Sequence, residues 1–273
     1  MAVTLAATQV TMQRQGRRLL QDINFEIGCG EMVALLGPNG AGKTSLLNIL
    51  NGQIKADSGS VTMAGQPLAD WSLSNKAKHL ASLAQQSLLN FPYKVSDVIA
   101  LGRLPHSSGK QQDWQWVKQA MTAMDVGHLA NCIYTQLSGG EKQRVQLARV
   151  MVQLWPQTQN SDQDFVGDEV SGDDEFGFLL LDEPTAALDL AHQQLVLQAC
   201  AERVQKNCAA VVVLHDINLA MRFSHRLVLM AEGRIIANGS PDDIARPELI
   251  KRVFGIDAHI IEHPLHRCPH IVF

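Results

Sequence analysis

Gly37-Pro38-Asn39-Gly40-Ala41-Gly42-Lys43-Thr44 fits the pattern G-x-x-x-x-G-K-[ST]; it follows the apolar run Met32–Leu36 and opens the helical run Ser45–Leu50. Strand, glycine-rich loop and helix in that order form the context in which this pattern cradles phosphate. Glycines let successive backbone N–H groups turn inward where side chains would obstruct, and the helix N-terminus adds the positive end of its dipole. The reading assigns Gly37 through Ser45 to a nucleoside triphosphate, with Lys43 reaching the β- and γ-phosphates and Thr44 placing its hydroxyl on Mg²⁺.

A second apolar run, Phe178–Leu181, ends in the adjacent carboxylates Asp182 and Glu183. Beside a phosphate loop, Asp182 is placed to hold Mg²⁺ through its water shell, and Glu183 to take a proton from water attacking the γ-phosphate. The expected chemistry is therefore hydrolysis as well as binding. A third string, Leu137-Ser138-Gly139-Gly140-Glu141, is a Ser-x-x-Glu capping box opening the helical pattern Lys142–Leu154. Its two glycines strip that helix start of side chains and leave bare N–H groups suited to an anion.

With these three motifs in this order, nearly the whole chain resembles the ATP-binding subunits of ABC transporters. The resemblance implies an α/β P-loop cassette: a mostly parallel core sheet, an antiparallel β part and a helical subdomain. It implies one domain over 1–273, a RecA-like core at 1–89 and 156–273 and the helical part at about 90–155. In such subunits the signature Leu137, Ser138, Gly139, Gly140 and Glu141 grips the ATP of a second copy, which makes the working unit a head-to-tail homodimer. The same resemblance makes Gln85, with Gln86 beside it, the glutamine that touches Mg²⁺ and the attacking water. It makes Asp189, in Ala187-Leu188-Asp189, a contact across the subunit interface, and His215 the residue that donates to the γ-phosphate. The catalytic set is then Glu183, His215 and Gln85, the Mg²⁺ set Thr44, Asp182 and Gln85, and the cofactors ATP and Mg²⁺. One departure stands out: the aromatic residue that the family stacks on adenine should lie near Met12–Arg14, which holds none. Met12 or the flat guanidinium of Arg14 is the substitute available in sequence.

Local strings narrow the resemblance to importers of iron chelates, cobalamin and, most closely, haem. They are Gly102-Arg103-Leu104-Pro105-His106, Leu188-Asp189-Leu190-Ala191-His192-Gln193, and a variable insertion after Gln153-Leu154-Trp155. This implies two copies of a transmembrane permease as partners, contacted by Phe91–His106, an exported substrate-binding protein indirectly, and a peripheral position on the cytoplasmic face of the inner membrane. Ferric siderophore or cobalamin import is the alternative cargo. A soluble ABC ATPase of translation or DNA repair would carry two cassettes or a long coiled coil, and a P-loop GTPase would lack Leu137–Glu141 and show an acid after Asn75-Lys76-Ala77 where Lys78 stands.

Composition agrees with this reading. The 273 residues are 46% hydrophobic and 18% charged, enough for a substantial core and unlike a disordered chain. The longest apolar runs are strand-sized, so no membrane span is expected, and Met1–Val10 lacks the pattern of a secretory signal. Five cysteines without a Cys-x-x-Cys pair read as reduced thiols buried singly. The net charge of -4 gathers its acids at 156–177, a segment with seven Asp and Glu and no Lys or Arg; it reads as a solvated insertion. The faintly basic remainder excludes a nucleic-acid footprint. Ser240-Pro241-Asp242-Asp243 is a helix start, and Ala231-Glu232-Gly233-Arg234 a turn between two strands. His259, His263, His266, Cys268 and His270 fit no metal-ligand spacing, and Pro264 and Pro269 favour an extended tail along the domain edge.

Overall fold

Runs of Val, Leu and Ala with no polar face form the central strands of the computed structural model, which describes residues 3–84, 89–155 and 176–273. The strands are β1 (Thr4–Arg14), β2 (Arg17–Gly28), β3 (Met32–Leu36), β4 (Ser58–Met63), β5 (Gln66–Pro67), β6 (Leu80–Leu83), β7 (Gly177–Asp182), β8 (Cys208–Val213), β9 (Arg226–Ala231), β10 (Arg234–Gly239), β11 (His259–Glu262) and β12 (Pro269–Val272). The helices are α1 (Lys43–Leu50), α2 (Leu73–His79), α3 (Val95–Ala100), α4 (Lys110–Ala123), α5 (Gly139–Gln153), α6 (Leu190–Val204), α7 (Ile217–Phe223), α8 (Pro241–Ile244) and α9 (Pro247–Phe254).

The larger, six-stranded sheet has the order β10-β9-β3-β8-β7-β6, parallel throughout except for the antiparallel edge strand β10. Every residue of β3, β7 and β8 is buried, as covering on both faces demands. A second, antiparallel sheet, β2-β1-β4-β5, turns Leu5, Ala7, Val10 and Met12 inward with Leu20, Ile23, Phe25 and Ile27. Arg226 ties the two sheets: its guanidinium donates to Glu31 Oε1 at 2.5 Å, to Asn238 Oδ1 at 2.8 Å and to Glu26 O at 2.6 Å. Residues 89–155 hold α3, α4 and α5 with short 3₁₀ turns and one isolated bridge, Lys94 to Ile133.

Several expected boundaries move. The helical pattern that opens at Lys142 gains one turn before it, since α5 starts at Gly139 directly after its cap Ser138, and it ends at Gln153 with Leu154 as its C-cap. The expected acidic segment 156–177 overruns its end by two residues. Phe176 stacks on His79 at 4.2 Å and meets Trp71 edge-on, and Gly177 is already in β7. The rest of that segment lies outside the described residues. The cysteines are not uniformly buried: Cys200 and Cys208 are, Cys29 and Cys268 are partly so, and Cys132 is exposed. Burial pushes the Cys200 thiol up to about 12. The C-terminal tail is a hairpin rather than an extended strip, since β11 pairs antiparallel with β12. Pro269 is tolerated as the first residue of its strand. Asn218 of α7 holds the hairpin through Ile271, donating to its carbonyl at 3.0 Å and accepting from its N–H at 2.8 Å. No group of three His, Cys, Asp or Glu among the described residues is placed to hold a metal ion.

Candidate nucleotide site

β3 and α1 are joined by the glycine-rich loop, and the joint depends on the absence of side chains at Gly42. Its φ of +103° lies in the left-handed region, and a Cβ there would stand 2.7 Å from Leu19 O. Lys43, the first residue of α1, is buried and curls back, donating from Nζ to Gly37 O at 2.7 Å and Pro38 O at 3.0 Å. Burial pushes its pKa down, while the carboxylates of Glu183 and Asp182 pull it back up.

Parallel strands β3, β8 and β7 end side by side, and this brings the remaining groups to the loop. Asp182, at the end of β7, is buried, and the Thr44 hydroxyl donates to its carboxylate. Desolvation raises its pKa, partly offset by that bond. Its Oδ1 has no hydrogen-bond partner among the described residues. A buried carboxylate with an unused oxygen beside a hydroxyl is a hard-oxygen donor set, which suits Mg²⁺. Glu183 follows with φ +52°, a left-handed conformation rare outside glycine. His215, just beyond β8, donates from Nε2 to Glu183 Oε1 at 2.6 Å. These groups converge on a cleft of about 400 Å³ lined by Asn39–Ser45, Glu183, His215 and Leu19. A larger open groove of about 610 Å³ runs past Arg226, but that arginine is committed to Glu31 and Asn238.

The structure removes Met12 from the two expected base contacts. Met12 is 2% exposed, locked in the core beneath the antiparallel sheet, and presents no face to a ligand. Arg14 pairs with Asp57 at 3.7 Å. The large apolar residue that lines the cleft is Leu19, which the sequence reading missed; nothing in its local pattern distinguishes it from Leu20, which is buried.

Ser138–Glu141 lie outside the lining of the cleft. Ser138 caps α5: its N–H and Oγ donate to Glu141 Oε2 at 2.8 and 2.7 Å, and its Oγ accepts from Glu141 N at 3.4 Å. These bonds pull the Glu141 carboxyl below its ordinary range. A Cβ on Gly139 would meet open space, while one on Gly140 would stand 3.0 Å from Ala187 O, so the second glycine permits close packing against the turn before Asp189. Asp189 caps α6, accepting from the N–H of His192 at 2.9 Å and engaging its Nδ1 at 2.8 Å. Gln85 and Gln86 lie outside the described residues.

Residues 20–155 match the ABC transporter family. The hemin import ATP-binding protein HmuV of Gloeobacter violaceus is 42% identical over 98% of this chain and 93% of its own length. Among solved structures, an inward-facing ABC transporter described as of metal-chelate type superposes with a TM-score of 0.77 at 25% identity, covering 100% of this chain and 97% of its own. A dimeric ATP-binding cassette in a post-hydrolysis state, bound to ADP and Pi, superposes with a TM-score of 0.71 at 23% identity over 86% of this chain and 98% of its own. No helix among the described residues is long and apolar enough to cross a membrane. The full-length likeness and the phosphate loop and paired carboxylates gathered at one sheet end lead to the same conclusion: this chain belongs to the ATP-binding subunits of ABC transporters, and it is a transport ATPase.

Proposed function

We propose that the chain powers import of haem, or a related iron complex, by hydrolysing Mg-ATP as a head-to-tail homodimer beneath a pair of permease subunits, on the cytoplasmic face of the membrane. The observation that carries the chemistry is the convergence of Lys43, Thr44, Glu183 and His215 on one cleft, with the buried Asp182 bonded to Thr44 beside it. The likeness to the hemin import protein carries the cargo. Ferric siderophore and cobalamin complexes are the other cargoes that this importer class implies.

Each group has a distinct task. Loop N–H groups and Lys43 bind the β- and γ-phosphates, which replace Gly37 O and Pro38 O as partners of Nζ. Thr44, Asp182 and Gln85 would hold Mg²⁺, whose charge offsets that building up between the phosphates. Glu183 accepts the proton of the attacking water, and His215, oriented by its bond to Glu183, donates to the γ-phosphate. Because Ser138 and Gly139 are exposed and outside the cleft, they are available to the ATP of a second copy. The helical segment offers the permease Phe91, Tyr93 and Leu104, which are 63, 49 and 77% exposed; Arg103, by contrast, faces inward.

Glu183→Gln tests the chemistry. Turnover should fall at least about 10²-fold with ATP affinity retained, and the variant should collect as an ATP-bound dimer. Near-normal phosphate release, or only monomer in gel filtration with Mg-ATP, would overturn the assignment. For the cargo, haem-loaded binding protein should raise ATP hydrolysis of the reconstituted importer; stimulation by cobalamin or ferric siderophore alone would redirect the reading.

A further inference from the structure

The last carbonyls of α5 and of the turn that closes it are claimed, one after another, by side chains from distant parts of the chain. Arg103 donates from Nη1 to Val152 O at 2.9 Å and to Trp155 O at 2.8 Å. His106 Nε2 donates to Gln153 O at 2.7 Å, and Arg203 of α6 donates to Leu154 O. A helix end commonly leaves these groups to water or to a glycine cap, yet the C-cap of α5 is Leu154, with φ and ψ of -93° and 5°. Two guanidinium groups at the negative end of the dipole serve instead.

Arg103 is itself held on its other sides. It is 3% exposed, its Nε donates to Asp113 Oδ1 at 2.9 Å and its Nη2 to Ser108 Oγ at 2.8 Å, and Ser108 donates to the same Asp113 oxygen at 2.9 Å. The Gln153 side chain points elsewhere, donating to Ala77 O at 2.8 Å and Leu80 O at 3.2 Å at the start of β6. The end of α5 is thus bonded to three structures at once: the segment 101–106 with its exposed Leu104, the helix that starts at Asp189, and the strand that leads toward Gln85.

We infer that this junction aims the signature, and that Arg103 is a positioning residue for the ATPase reaction, acting through α5 on Ser138–Gly140. The inference rests on the reading of Ser138–Glu141 as a contact to a second copy's ATP. A 15-residue helix is a rod about 22 Å long, so a pivot of about 5° at its C-terminal end moves its N-terminus about 2 Å. A displacement of that size is large against the roughly 1 Å tolerance of a reacting centre. A planar guanidinium with several fixed donors sets an angle as well as a distance, which apolar packing or a lysine at the same place does not.

The test uses the full chain, with turnover counted per bound nucleotide so that unfolded protein does not enter. Arg103→Gln should lower kcat about 10-fold or more while half-saturation with ATP stays within about threefold, and amides 139–142 should exchange with deuterium faster. Asp113→Asn, which loosens Arg103 without emptying its place, should show a smaller loss of the same kind and decides the matter if Arg103→Gln does not fold. A purely structural arginine would change melting temperature but neither kcat per bound nucleotide nor exchange at 139–142, and that result overturns the inference. Ser138→Arg is the control: if it hydrolyses ATP normally, the signature reading itself fails and the positioning role falls with it.

Discussion

Removing the Ser138 hydroxyl separates what that residue does for its own helix from what the proposed function has it do for a second copy's nucleotide. In the capping box truncation breaks both bonds of the hydroxyl, the long one from Glu141 N at 3.4 Å and the solvent-exposed one to Glu141 Oε2 at 2.7 Å, whereas the bond from Ser138 N to Glu141 Oε2 at 2.8 Å is made by backbone and survives. Ser138→Ala should therefore cost about 0.5–1 kcal/mol, the lower part of the range for N-cap removal. For a chain of 273 residues that is a fall in melting temperature of about 1–3 °C. A hydroxyl that donates to the γ-phosphate of a second copy makes a charge-assisted bond worth about 1.5–3 kcal/mol, equivalent to a turnover loss of about 10- to 150-fold. Calorimetry and steady-state phosphate release on the same preparation give both quantities. A loss of turnover below about threefold, or a fall in melting temperature large enough to account for it, would refute the division of labour.

The same variant has a pH signature. The Glu141 carboxyl sits below its ordinary pKa because Ser138 donates to it twice, so its folded pKa is below its unfolded one. Its contribution to stability is present above the unfolded pKa and is lost as pH falls through the folded value. Ser138→Ala removes the hydroxyl donor and should raise the Glu141 pKa toward the ordinary carboxylate range, so the acid-side fall in stability becomes shallower. A carboxyl-carbon NMR titration that leaves the Glu141 midpoint unmoved would show that the hydroxyl contributes nothing to the depression.

Leu19→Ala should raise the KM for ATP about fivefold, the value of about 1 kcal/mol of lost apolar contact, while inhibition by tripolyphosphate stays unchanged; an equal effect on both would place Leu19 away from the base. Asn218→Ala leaves the N–H and carbonyl of Ile271 unpaired at a cost of about 1–3 kcal/mol and should free the C-terminal hairpin for digestion by carboxypeptidase; wild-type resistance would show that β11–β12 is held by other contacts.

The central sheet was legible because a strand covered on both faces has only one solution, a continuous apolar run, and β3, β7 and β8 supply it. Helix starts were legible at Ser138 and Ser240, where the capping boxes form as their spacing requires. The antiparallel sheet hid its strands for a physical reason. Register shifts between Ala7 and Val10, and again between Val10 and Met12, break the alternation that would have marked β1. The end of the acidic segment was misplaced because composition speaks for charge up to Glu175, whereas Phe176 is decided by Trp71 and His79, a hundred residues away in sequence. Arg103 shows the same limit: in sequence it belongs to a short string shared with importers, and its carbonyl partners at 152 and 155 exist only once α5 has docked.

At the site, sequence names the groups, and the fold supplies what it cannot spell, namely their angles. Asp182 and Glu183 are adjacent and chemically alike, yet one is buried with its hydroxyl partner at Thr44 while the other turns out of the strand through φ +52° to meet His215. A left-handed glutamate costs on the order of 1–3 kcal/mol and persists only where the surroundings hold it. Here Gln143 of α5 donates to the carbonyl of Pro184 at 3.2 Å, bracing the turn that follows. Straightening that turn would return Glu183 to the alternation of β7 and swing its carboxylate away from the cleft. The strained residue thus points the two carboxylates apart, as the proposed division into a metal-side acid and a water-side base requires, and its brace comes from α5.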